Sequence, residues 1–89
     1  MQEIHIFVSG TVQGVGLRAA VKRHALLFQI KGYVRNLPDG RVEICAQANG
    51  EQINEFLRTV QKRPGAGVIA NIETKYKPVQ ELFSSFEIR

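Results

Sequence analysis

The chain carries a single cysteine, Cys45, so no intramolecular disulfide can form, and a lone thiol fits a reducing compartment. No apolar run approaches the roughly 20 residues that a membrane-spanning helix needs. The start, Met1-Gln2-Glu3, lacks the basic segment and apolar stretch of a secretory signal. Together these absences point to a cytoplasmic protein without a membrane partner. Repeats, linkers and low-complexity stretches are also missing, so residues 1–89 are expected to form a single domain. Neither a Walker A ending nor a GxGxxG fingerprint is present, which removes two common nucleotide-binding loops. His5 and His24 have no partners at ligand spacing, so neither a metal site nor a cofactor is expected. Acidic residues number 8 against 12 lysines and arginines, a net charge of +4. That excess suits an anionic partner, a phosphorylated small molecule or nucleic acid, but it also serves solubility and does not settle function.

What remains is a well-patterned small chain. Ile4, Ile6 and Val8 alternate with His5, Phe7 and Ser9, which predicts a strand. From about Leu17 to Phe28 the apolar positions Leu17, Val21, Ala25 and Phe28 recur at helical spacing. A second strand over Tyr33-Val34 ends near Asn36, and Leu37-Pro38-Asp39-Gly40 has the residues of a tight turn. Val42, Ile44 and Ala46 then alternate to complete a hairpin. Asn49 followed by Gln52 forms the pattern of a capping box. Ile53, Phe56, Leu57 and Val60 make the core stripe of the helix it opens. Arg63-Pro64-Gly65-Ala66-Gly67 stops that helix, and two further strands cover Val68–Tyr76 and Phe86–Ile88. The order βαββαβ with a short appended strand is the α+β ferredoxin-like sandwich: an antiparallel sheet with two helices packed on one face.

The stretch from Ser9 to Gly16 is too glycine-rich for a regular element and reads as a loop. Gly14 and Gly16 let the backbone turn tightly and leave amide groups bare, forming a concave nest suited to an anion. The following helix adds its unpaired first N–H groups and the positive end of its dipole. Arg18 stands in that first turn, where its planar fork can grip two phosphate oxygens. A plain tight turn with a solvent-facing Arg18 would fit the same residues. In a right-handed βαβ unit, however, the two strands end on the same side, which carries Asn36 toward the mouth of this loop. Asn36 has its own bland role as a turn cap before Leu37-Pro38.

Two ordered motifs settle on a family. Val8-Ser9-Gly10-Thr11-Val12-Gln13-Gly14-Val15-Gly16-Leu17-Arg18 closely resembles the acylphosphatase signature SG-x-VQGVGFR. Gly32-Tyr33-Val34-Arg35-Asn36, then Asp39-Gly40 and Val42-Glu43, resembles that family's second motif, GWVRN-x-x-DG-x-VE. Phe83 with Phe86-Glu87-Ile88 is similar to its closing strand. The resemblance implies hydrolysis of acyl phosphates to carboxylate and inorganic phosphate by a cofactor-free monomer. It makes Arg18 the catalytic phosphate-binding arginine and Asn36 the residue that orients water. The amides of Gln13, Gly14, Val15, Gly16 and Leu17 become the phosphate cradle. Leu17 departs from the family's phenylalanine and Ala19-Ala20 from bulkier residues, so a looser packing behind Arg18 is expected. The stretch from Tyr76 to Ser84 is short, so an altered loop beside the site is expected.

The rivals are a non-catalytic acyl-phosphate binder and an RNA-binding ferredoxin-like module. Lys31-Gly32-Tyr33-Val34 faintly echoes the basic-Gly-aromatic start of an RNA-stacking motif, but the exposed aromatics that such a sheet needs are scarce. A related domain occurs in hydrogenase-maturation proteins, whereas a chain ending at Arg89 favours a free-standing enzyme. The presence of both Arg18 and Asn36 favours catalysis.

Overall fold

A computed structural model describes residues 1–89. The elements run β1 (Gln2–Thr11), α1 (Leu17–Leu27), β2 (Lys31–Asn36), β3 (Val42–Ala48), α2 (Gly50–Lys62), β4 (Val68–Lys77) and β5 (Phe86–Ile88). The strands form one sheet in the order β4-β1-β3-β2-β5. Every neighbouring pair is antiparallel except the last: β5 lies parallel to β2, so the sheet is mixed at that edge. The ferredoxin-like sandwich expected from the pattern is present, with β5 as the appended strand. No helix is long and apolar enough to cross a membrane.

Alternation decides which face is buried. Ile4, Ile6 and Val8 of β1 register with Ala46, Ile44 and Val42 of β3, and Val34 of β2 sits opposite Ile44. These side chains form one core with Val21 and Ala25 of α1 and Ile53, Phe56 and Val60 of α2. Complete burial of each large apolar side chain is worth about 1.5–3 kcal/mol. Phe86 of β5 closes the core's edge, with its ring 6.3 Å from that of Phe56.

Local signals set the element ends. Asn49 and Gln52 form the expected capping box: the Asn49 side chain accepts from Gln52 N at 2.8 Å, and Gln52 Oε1 accepts from Asn49 N at 3.1 Å. Helix α1 stops one residue before Phe28 in a Schellman turn. Gln29 takes a left-handed φ of 58°, and Ile30 N donates back to Ala25 O at 2.8 Å. Gly32 lies inside β2 at φ 142°, where a Cβ would come within 1.9 Å of Cys45 O, so only glycine fits there.

β4 and β5 occupy opposite edges of the sheet, so the connection between them must cross it. It crosses the face turned away from the helices. Gln47, buried on that face, donates to Glu81 O at 2.6 Å and accepts from Phe83 N at 3.1 Å. The short stretch after Tyr76 therefore packs over the outer face and not beside the loop that precedes α1.

Candidate active site

The β1–α1 loop takes the shape that its glycines permit. Gly14 and Gly16 have φ of 74° and 79°, and Gly16 is the N-cap of α1 in a left-handed conformation. A residue with a Cβ is strained in that geometry. Gly16 has no side chain to cap the helix, and the first helical bond is Ala20 N to Gly16 O at 3.1 Å. The N–H groups from Gln13 to Ala19 consequently donate to no protein acceptor. No acidic residue stands in the first turn to compensate them. A run of free amides at the positive end of a helix is a feature that attracts anions.

Arg18 makes neither an ion pair nor a hydrogen bond and is partly exposed. It lines a cavity of about 170 Å³ with Val12, Gly14, Gly16, Ala19 and Ile88. That is smaller than the roughly 300–1,000 Å³ of pockets that take drug-sized ligands and suits a group of phosphate size. Ala19 and Ile88 also line it, a place that the motifs did not assign to them. The place of Ile88 depends on its pairing with Val34, which the alternation of Phe86 and Ile88 does not reveal.

The remaining loop residues hold the cradle in place. Leu17 is buried in the core, so the substitution of leucine for phenylalanine still gives a filled anchor directly before Arg18. Val15 packs against the core, and its carbonyl accepts from Ala66 N at 3.3 Å. The turn after α2 thus props the loop from behind. His24 Nε2 bonds Arg63 O at 2.8 Å and ties α1 to the same turn. The Gln13 side chain does not face the cavity. It donates to Leu37 O and Arg41 O, both at 2.9 Å, and so links the cradle to the β2–β3 hairpin.

That hairpin carries Asn36. Val8, Val42 and Asn36 lie in one row across β1, β3 and β2, so the ends of β1 and β2 meet on the same side, as topology required. Asn36 shares the helix-facing side with Val34 but does not line the Arg18 cavity itself. Its Oδ1 is buried and has no hydrogen-bond partner. The turn-capping role is taken instead by Asp39, whose Oδ1 accepts from Arg41 N at 3.1 Å and whose Oδ2 accepts from Arg41 Nε at 2.8 Å. The bond from the Arg41 backbone, joined by that from its side chain, holds the Asp39 carboxyl below its usual range.

A helix-terminal run of free amides with an unpaired arginine, set in a two-layer α+β sandwich, defines a protein of the ferredoxin-like class with an anion-attracting helix end. The acylphosphatase family model matches residues 4–88. The chain is 41% identical over 88 residues to an acylphosphatase of Archaeoglobus fulgidus, a match covering 99% of this chain and 98% of the relative. It is 39% identical over 88 residues to one of Caldivirga maquilingensis, covering 97% and 92%. Among solved structures, acylphosphatase from Bacillus subtilis is similar with a TM-score of 0.92 at 32% identity, over 100% of this chain and 99% of that one. T. kodakarensis HypF contains a similar unit, with TM-score 0.90 and 37% identity, spanning 100% of this chain and 12% of that one. The chain belongs to the acylphosphatase family, a family of hydrolases.

Proposed function

We propose that this chain hydrolyses acyl phosphates, with Arg18 and the amides from Gln13 to Leu17 holding the phosphoryl group and Asn36 orienting the attacking water. The observation that carries the reading is the run of unpaired N–H groups around the free Arg18 guanidinium. Water attacks phosphorus in line, forming a new P–O bond as the bond to the acyl oxygen breaks. The leaving carboxylate keeps the bonding electron pair, and a substrate phosphate oxygen takes the water proton. The carboxylate is a stable leaving group, so no side-chain general base is required. Positioning and electrostatic stabilisation of the equatorial oxygens supply the rate. The walls of the Arg18 cavity offer no histidine, cysteine, aspartate or glutamate, so the donor set favours a reaction that uses no metal.

The RNA-binding alternative needs aromatic faces open for base stacking. Tyr33 instead packs edge-on against Phe83 at 5.7 Å, with the Arg89 guanidinium 4.3 Å above its ring. We also take the enzyme to act as a cytoplasmic monomer. Cys45 is a free, buried thiol, which suits a reducing compartment.

The test is hydrolysis of benzoyl phosphate in the presence of EDTA. The wild type is expected to turn over undiminished by the chelator. Arg18→Ala should lose a factor of roughly 10²–10³, the usual effect of removing one donor to developing charge. Asn36→Ala should lose about 10²-fold through misplacement of the water. A folded wild type that binds phosphate without turnover would instead make the chain an acyl-phosphate binder.

A further inference from the structure

The outer face of the sheet carries a polar cluster that the phosphate chemistry does not use. His5 of β1 is the direct register partner of Cys45 on β3, and Glu3 lies two residues before His5 on the same face. His5 Nε2 is 2.7 Å from Glu3 Oε2 and 3.6 Å from Cys45 Sγ. One ligand-type atom from each of the three residues falls within a span of 4.8 Å. Ligand atoms around a tetrahedral zinc ion sit roughly 3–4 Å apart, so small rotations of these side chains would complete such a geometry. They also line a cavity of about 230 Å³ that includes Gln80 and Glu81 from the β4–β5 connection.

The neighbours of the trio are those that a metal site needs. Glu43 Oε2 stands 3.4 Å from His5 Nδ1, on the far side of the ring from Glu3 and Cys45. A carboxylate at that nitrogen fixes the ring and strengthens the other nitrogen as a ligand. Glu43 is itself held by Arg35 Nε at 2.6 Å. Gln47 Nε2 donates to Glu3 Oε1 at 2.7 Å, which leaves the second carboxylate oxygen directed to His5. The ligands are thus positioned from behind by strand residues, and the cavity lies in front of them.

We propose that Glu3, His5 and Cys45 bind a thiophilic divalent cation of the zinc type, with the fourth coordination position open to the outer-face cavity. Binding replaces the Glu3–His5 hydrogen bond with metal–ligand bonds: the His5 proton moves from Nε2 to Nδ1, where Glu43 accepts its hydrogen bond, and the Cys45 thiol proton leaves to solvent. The site faces away from α1 and α2 and is separate from Arg18 and Asn36.

The experiment uses the full chain, stripped with a chelator and desalted, then titrated with Zn²⁺ against a chromophoric chelator and with Co²⁺ by absorption. The expected result is one equivalent of metal, with a thiolate-to-cobalt charge-transfer band in the near ultraviolet and the intense visible bands of tetrahedral cobalt. Cys45→Ser should abolish the charge-transfer band. Glu43→Gln should keep that band and weaken zinc binding about 10–100-fold, as loss of a carboxylate behind a ligating histidine does. Far-ultraviolet circular dichroism and benzoyl phosphate hydrolysis report whether each variant is folded. If Cys45→Ser does not fold, His5→Gln takes its place, with weakened zinc binding expected. No metal uptake, cobalt uptake without the charge-transfer band, or zinc binding unchanged in the folded ligand variant would overturn the proposal.

Discussion

Asn36 Oδ1 is buried without a partner, and an acceptor left in that state costs about 1–3 kcal/mol. A fold under selection for stability alone has no use for it, which agrees with the water-orienting role proposed for Asn36. Asn36→Ala should therefore separate two quantities that usually fall together. Activity drops, while the urea midpoint stays at the wild-type value or rises, because the substitution removes an unsatisfied group. A clear loss of stability in Asn36→Ala would mean that the side chain has a structural partner and would weaken its assignment to the water. Leu17 behaves in the opposite way: it is a buried anchor, and a shift there would act on Arg18 only through packing.

At the scale of elements, the cradle and the hairpin are joined by one side chain. Both amide hydrogens of Gln13 are committed to hairpin carbonyls, so the loop before α1 and the strand end that carries Asn36 are held at a fixed spacing. Gln13→Ala should lower kcat by about tenfold or more with little change in KM, since a small misplacement is enough to slow a positioned reaction. Rates measured well below the unfolding transition distinguish this from a purely structural role, which would move the midpoint and leave kcat alone. The turn after α1 provides a stabilising counterpart. Gln29 pays for a left-handed conformation that glycine adopts freely, so Gln29→Gly should raise stability by about 0.5–1 kcal/mol in urea unfolding, with activity unchanged. Such features differ in how far they can be read from sequence. The capping box at Asn49, the turn at Pro38-Asp39-Gly40 and the glycine loop before Arg18 depend on residues a few positions apart, and periodicity exposes them. The role of the Gln13 side chain depends on carbonyls more than twenty residues away, and the trio of Glu3, His5 and Cys45 exists only through the β1–β3 register. No local pattern encodes either.

Across the whole molecule, the sheet separates two surfaces. Its helix-facing side ends at the cradle and Asn36, while its outer side holds the cluster beneath the β4–β5 connection. The parallel pairing of β5 with β2 was hidden in the sequence because a three-residue strand has no signal for its partner, yet that pairing places Ile88 in the wall of the Arg18 cavity. A net charge of +4 surrounds a cradle that no protein group fills, so the folded state should gain from an anion that the unfolded chain cannot hold. Inorganic phosphate, as product, is the simplest probe. At a concentration about 100 times its dissociation constant it should add about 2.7 kcal/mol to the unfolding free energy. Thermal unfolding in rising phosphate, at constant ionic strength, should show a steadily increasing midpoint for the wild type. Arg18→Ala should respond far less, because one of the principal ligands of the anion is gone. Cys45→Ser, altered only on the outer face, should retain the full response. A response of equal size in Arg18→Ala would mean that phosphate acts through general charge screening, and the cradle would lose its claim to the substrate.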